Sequence, residues 1–327
     1  MRNDLRAIVL VGLTVLLAGC GSDDDASAPT TSNDTRASGS KQSGTLYFER
    51  NDPGDYYKVM RMDMRSGRFE VAADGFDASV GNRSMAFLQL CSPLSVRLAV
   101  NDEDGFSSPV SECFKLDTIT PDFYSPAMSR DDALIAVANT AILLPKDQLP
   151  DTAAARFGIG DNTYAATQIY RPDGTLVAEL RDFGVGAWMR NGDLVVTGQG
   201  GDAGFGLYRV DRKFKNPERI DDGRINGAIF SIDAHPKKDA VVFIFNGQIF
   251  EMDIDSGKPK RVHSHGFPLA AAAYSPDGKS IIFVSSDPLS EAFETPNTGY
   301  NMYILKGGDV EPLILPFIPG GPLDWVK

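Results

Sequence analysis

From residue 45 onward, apolar and polar positions alternate in short runs separated by turn residues, the pattern of many short strands. The clearest example is residues 270–287, "AAAAYSPDGKSIIFVSSD". A small-residue strand ends at Tyr274, the turn Ser275-Pro276-Asp277-Gly278 follows, and Ile281 to Val284 begin a second strand. Pro276 presets its φ near about −65°. Asp277 can bond nearby backbone, and Gly278 takes a left-handed conformation without steric cost. A catalytic reading of Ser275 needs a base, and the pattern places no histidine to serve it. The stretch therefore reads as a hairpin.

Weaker copies recur along the chain. They are "AMSRDDALIAVAN" from Ala127, "AWMRNGDLVVTG" from Ala187, "DAHPKKDAVVFIFN" from Asp233 and "QLCSPLSVRLAVND" from Gln89. Trp188 stands where Tyr274 stands, and His235-Pro236 and Ser92-Pro93 replace Ser275-Pro276. A third strand follows each pair ("SECFKLD", "ATQIYRPDG", "FGLYRVD", "GQIFEMDIDSG", "NMYILKGG"), then a short fourth. Four antiparallel strands in each unit of forty-odd residues is the signature of a propeller blade. Copies begin near residues 77, 122, 184, 227 and 267. The first strands after residue 44 lack a leading strand, and the terminal "GGPLDWVK" supplies one, with Trp325 in the Tyr274 position. The fold predicted is all-β: a six-bladed β-propeller of four-stranded antiparallel blades over residues 45–327, closed by the C-terminal strand joining the N-terminal blade. Such closure removes an exposed sheet edge.

The Tyr/Trp-Ser-Pro-Asp-Gly-Lys-x-Ile-x-Phe pattern resembles the WD-like repeat of TolB-type six-bladed propellers. TolB itself carries an additional N-terminal α/β domain where this chain has a tether. Its interactions with the peptidoglycan-associated lipoprotein and with colicins therefore imply a style of function and no residue-level site.

The N-terminus has a different character. Arg2 and Arg6 precede an apolar run from Ala7 to Leu17, too short for a bilayer span of about 20 residues and suited to a signal-peptide core. It ends in Leu17-Ala18-Gly19-Cys20, which resembles a bacterial lipobox. The expectation is a signal peptide over 1–19 and acyl chains on Cys20. Gly21 rather than Asp at the next position resembles an outer-membrane address, on the periplasmic side or at the cell surface. Residues 21–44 hold no large apolar residue and read as a flexible tether averaging roughly 25–30 Å end to end. The chain carries a net charge of −12, which argues against nucleic acid as a partner and leaves membrane attachment to the acyl chains.

Cys91 and Cys113 remain for an oxidising compartment. Aligning Ser92-Pro93 with Ser275-Pro276 puts Cys91 on strand one and Cys113 on strand three. That leaves their backbones roughly 10 Å apart, beyond the reach of a disulfide, and predicts two buried thiols. If this blade departs from the register, they are bridged.

Propeller geometry sends the strand two-to-three and four-to-one connections to one end and the tight hairpins to the other. The long insertions, 51–55, 101–109, 139–166, 198–204 and 285–299, all read as two-to-three loops, and "PKDQLPDTAAARFG" within them suits a short helix. They hold twelve Asp or Glu against Lys146 and Arg156. Arg65, Arg68, Arg190, Arg212, Lys213, Lys215, Lys237, Lys238, Lys258, Lys260 and Arg261 gather at the opposite end. The candidate binding residues are Asp102, Asp104, Asp161, Asp202, Asp287, Glu291 and Glu294.

No metalloprotease, P-loop, dinucleotide or nucleophile-elbow motif is present. His263 and His265 share a strand face and can share a metal, but a clear third ligand is lacking, and Asp102-Glu103-Asp104-Gly105 begins like a calcium loop without its terminal glutamate. The expected function is a monomeric, membrane-anchored scaffold that binds an envelope protein through the acidic end, with no cofactor. One alternative is a metal-dependent hydrolase or lactonase-like propeller, with calcium held by Asp102, Asp104, Asp161 and Asp202. Another is a carbohydrate-binding propeller using Tyr164, Phe205, Phe293 and Tyr300.

Overall fold

A computed structural model describes residues 42–50, 58–92, 95–102, 106–115, 123–143, 163–199, 204–286, 300–316 and 318–327. These residues form six antiparallel sheets. The first blade is β1 (Thr45–Arg50), β2 (Lys58–Asp63) and β3 (Phe69–Asp74), with β25 (Pro319–Val326) as its innermost strand. The second is β4 (Phe76–Val80), β5 (Met85–Ser92) and β6 (Ser95–Asn101), edged by two short pieces, β7 (Ser107–Pro109) and β8 (Phe114–Lys115). The third is β9 (Phe123–Met128), β10 (Ile135–Leu143), β11 (Thr163–Tyr170) and β12 (Leu176–Arg181). The fourth is β13 (Phe183–Trp188), β14 (Leu194–Gln199), β15 (Phe205–Val210) and β16 (Glu218–Arg219). The fifth is β17 (Ile229–Ala234), β18 (Ala240–Phe245), β19 (Gln248–Asp253) and β20 (Lys260–Ser264). The sixth is β21 (Leu269–Tyr274), β22 (Ser280–Ser285), β23 (Asn301–Lys306) and β24 (Asp309–Leu313).

The six-bladed propeller is as expected, including its closure: Leu46 pairs with Trp325 and Thr45 with Val326. Each blade is covered on both faces, so its inner strands read as continuous apolar runs. Val241 to Phe245 and Ile281 to Val284 are buried residue after residue. Among the described residues, buried apolar side chains fall into six clusters, one between each pair of adjacent blades.

The hairpin at Ser275 forms as its residues dictate. Gly278 has φ of 72° and donates its N–H to the Ser275 carbonyl at 2.8 Å. The buried Ser275 hydroxyl donates to Asp277 at 2.7 Å and accepts the N–H groups of Lys279 and Ser280 at 3.2 and 2.9 Å. Ser129 does the same in the third blade, accepting from Ala133 and Leu134. His235 substitutes with its ring: Nδ1 accepts the N–H groups of Lys237 and Lys238, both at 3.0 Å. The Asp253-to-Gly257 segment is also the expected three-to-four hairpin, with Ser256 N–H donating to Asp253 Oδ1 at 2.9 Å.

The second blade corrects the register. Its one-to-two turn is Gly81 to Ser84, and the turn after Ser92 joins strands two and three. The Ser-Pro there is a turn signal one hairpin further along. The 101–109 segment is therefore a three-to-four connection, and "SECFKLD" contributes the fourth-strand edge at Phe114 and Lys115.

Cys91 and Cys113 are bridged, with Cα atoms 6.2 Å apart, and both are exposed rather than buried. The expected separation fails for a local reason. Cys91 sits in a register shift between Leu90 and Ser92 at the end of β5, and Cys113 lies off the sheet, in the break between β7 and β8. A shift of this kind frees a residue from the ladder and bends the strand. The other long insertions, with the suggested helix, and residues 1–41 with Cys20 lie outside the described residues.

Candidate functional site at the channel mouth

The innermost strand of each blade faces the central channel, and its side chains alternate. A residue at or next to the end of the strand turns between blades. Trp188 Nε1 donates to the Ala127 carbonyl at 2.8 Å, and Trp325 Nε1 to the Ser43 carbonyl at 3.2 Å. The residue before it points the other way. Asp324 Oδ2 accepts Val80 N–H at 2.7 Å and the Ser79 hydroxyl at 3.2 Å in the next blade. Asp233 Oδ2 likewise accepts Tyr274 N–H at 2.8 Å. Two residues earlier on the second blade, Asp77 Oδ2 accepts Ser125 N–H at 3.0 Å, while Asp77 N–H donates to Glu49 Oε1 at 2.6 Å. These carboxylates tie neighbouring blades together and also charge the channel wall.

Arg130 supplies the opposing charge. It leaves the third-blade turn and donates from Nη1 to the Pro236 carbonyl of the fifth-blade turn at 3.0 Å. The reach passes the fourth blade, whose inner strand carries only hydrogen at Gly184 and Gly186. Its charge favours the ionised forms of Asp233 and Asp324, yet burial prevails. Burial first, then the neighbouring Asp324, lifts Asp233 to about 7, and burial lifts Asp324 to about 6. Burial and then the Asp77 carboxylate raise Glu49 well above the usual range, and burial raises Asp77 as well.

These groups line a cavity of about 790 Å³ at the tight-turn end of the channel. Its wall includes Asp77, Arg130, Phe230, Asp233, Lys237 and Asp324. Phe230 is 57% exposed. A lobe runs outward between the first and second blades to Asn101, whose buried Oδ1 accepts no hydrogen bond from the described residues. The arrangement offers both charge signs, an aromatic face and amide groups to an incoming chain.

Of the residues expected to bind, Asp102 is described. Its Oδ1 accepts Phe106 N–H at 2.9 Å, in the β6–β7 connection, and it lines the mouth cavity. That end of the blades is opposite the β10–β11 and β14–β15 connections, a six-residue strand or about 20 Å away. Asp102 thus stands apart from the loops that carry Asp161 and Asp202. Asp104, Asp161, Asp202, Asp287, Glu291 and Glu294 lie outside the described residues, as do Tyr164's side chain and Phe293. No three His, Cys, Asp or Glu among the described residues gather as metal ligands.

Sequence reasoning missed Asp77, Asp233, Asp324 and Arg130. The available signal was an acid inside an otherwise apolar or small-residue strand: "FDASV", "IFSIDA" and "PLDWV". An acid there must find donors.

Solved structures share this architecture. TolB from Acinetobacter baumannii superposes with a TM-score of 0.62 at 11% identity, covering 86% of this chain and 66% of that one. The fold is the TolB-type six-bladed propeller. A putative TolB from Agrobacterium tumefaciens matches with a TM-score of 0.54 at 17% identity, over 88% of this chain and 100% of its own. The acylaminoacyl peptidase of Pyrococcus horikoshii matches this chain with a TM-score of 0.51 at 14% identity, over 86% of this chain and 46% of that one. At these identities the likeness is one of fold. No protein-family model and no curated protein matches the sequence.

Proposed function

We propose that the chain is a lipid-anchored, protein-binding propeller of the bacterial envelope, acylated at Cys20 and held at the outer membrane by those chains. It acts as a monomeric scaffold without a cofactor. The observation that carries this reading is the polar cavity of about 790 Å³ at the tight-turn mouth, walled by both charge signs and by Phe230. A protein segment is the guest such a mixed, open wall suits. The TolB-type fold supports an envelope role, and the exposed Cys91–Cys113 bridge supports an oxidising compartment. The tether belongs at the mouth end: Gln42 donates to Ser280 at 3.4 Å and Ser43 accepts from Trp325. The carboxylates of the insertion loops, Asp161, Asp202, Asp287, Glu291 and Glu294, are the second candidate for the binding residues.

Crosslinking from envelopes of cells carrying the acylated protein tests the reading. Arg130→Glu with Lys237→Glu is expected to abolish capture of an envelope protein, and Asp287→Asn with Glu291→Gln and Glu294→Gln to preserve it. Capture that survives the mouth variant and fails with the loop variant moves the site to the insertion end. Retention of Cys20→Ser in the membrane fraction would sink the anchor.

A further inference from the structure

The fifth blade also carries two histidines that do not line the mouth cavity, packed against the sixth blade. His263 lies on β20 opposite Ile249 of β19, and His265 follows two residues later. Two-residue spacing along an extended chain turns both side chains to one side. His263 Nε2 stands 3.4 Å from His265 Nδ1. That exceeds the usual hydrogen-bond range of about 2.7–3.2 Å, so a shared proton binds the rings weakly. It is near a metal bite: two nitrogens at about 2.0–2.1 Å from an ion are about 3.3–3.4 Å apart in a tetrahedral site and about 2.8–3.0 Å apart in cis positions of a tetragonal one.

The surroundings hold the pair in place. His263 packs on Phe283 at a centroid distance of 5.3 Å, and His265 on Phe283 and Tyr303 at 5.3 and 4.9 Å. Phe283 is fully buried, so the sixth blade forms a fixed apolar wall behind the rings. Both imidazoles stay partly exposed, within reach of an ion from solvent.

We propose that His263 and His265 chelate a late first-row divalent ion, copper(II) more tightly than nickel(II) or zinc(II). Imidazole nitrogen selects these ions, and their order follows the general affinity series. Calcium, which seeks oxygen, is excluded by the ligand type. Two protein ligands leave the remaining positions to water or to a donor from a partner. The site lies at the insertion end, where β20 passes to β21.

Titrating the full chain with copper(II) alone, followed by calorimetry and electron paramagnetic resonance, tests this. Wild type is expected to show a site with two-nitrogen superhyperfine splitting. His263→Gln or His265→Gln is expected to weaken it by at least about tenfold, since even losing an outer-shell partner commonly costs that much. His235→Gln should leave it unchanged. Equal affinity in wild type and the His263→Gln, His265→Gln double variant overturns the proposal. So does an oxygen-only spectrum of wild type, a result that needs no variant to fold.

Discussion

Between the sixth and first blades lie fifteen buried apolar side chains, among them Leu46, Phe48, Met62, Ile282 and Trp325. Between the first and second blades lie six: Val59, Ala73, Ala78, Met85, Phe87 and Ala99. The richer interface is crossed by the chain where β24 of the sixth blade leads into β25 of the first, and buried apolar surface dominates it. The thinner one is crossed more tightly, since Gly75 alone separates β3 from β4. A Cβ at Gly75 would stand 2.3 Å from the Leu88 carbonyl oxygen, so only glycine allows so close a passage. This interface is also the more polar one. Asp324, Asp77, Glu49 and Asn101 bond across it, and the outward lobe of the mouth cavity enters there. The ring is closed by the β25–β1 pairing within the first blade, which packs on an apolar joint on one side and on a joint open to a polar guest on the other.

The largest expected effect comes from breaking the apolar joint. Trp325→Ala removes a buried ring and its bond to Ser43, and is expected to cost about 3–5 kcal/mol. Chemical denaturation measures it. Hydrogen exchange should show β25 and β1 opening before the other blades; a loss under about 1 kcal/mol contradicts the role assigned to this joint.

A smaller effect is expected in the second blade. Its fourth strand is split, and the Cys91–Cys113 bridge closes a separation of 22 residues around the split. Cys91→Ser with Cys113→Ser is expected to lower stability by about 3 kcal/mol on the chain-entropy account. Exchange should rise in β7 and β8 and stay unchanged in β21 to β24. Equal loosening of both blades would show that the bridge acts globally.

The smallest effect is a slope with pH. Asp233 and Asp324, at about 7 and about 6, hold protons in the folded state that the unfolded chain releases near about pH 4. The folded state therefore binds more protons between those limits, and stability falls as pH rises from about 4 to 7. Below that window the opposite sign takes over. Hydrogen bonds from neighbouring hydroxyl groups, Ser66, Ser129 and Ser275, hold Asp63, Asp131 and Asp277 below the usual range, and their contribution is lost on acidification. Melting temperature should be higher at pH 5 than at pH 8. Asp233→Asn with Asp324→Asn should flatten that difference, and an unchanged slope would place the titration elsewhere.

The sixth blade shows how far a sequence can be read. Ser275, Pro276, Asp277 and Gly278 each serve the turn their own chemistry suits, so pattern and structure agree residue by residue. The second blade shows where reading stops. Its Ser-Pro carries the same local signal one hairpin later, and only strand pairing tells the two hairpins apart. That slip moved the 101–109 segment to the wrong end, and the local shift at Leu90 and Ser92 that joins the two cysteines carries no sequence signal. Asp77, Asp233 and Asp324 were visible as acids within innermost strands, but their donors come from the next blade, which no local window contains.

The sequence by itself determined the strands, most of the turns, the blade count and the closure of the ring, because each follows from side-chain alternation and the φ preferences of Pro and Gly within a few residues. The tertiary structure alone decided which faces meet. Cys91 met Cys113 through a local register shift, three carboxylates and Arg130 came together around an axis, and one joint was left thin enough for a cavity. Those outcomes depend on distances between residues far apart in the chain, which composition and periodicity do not encode.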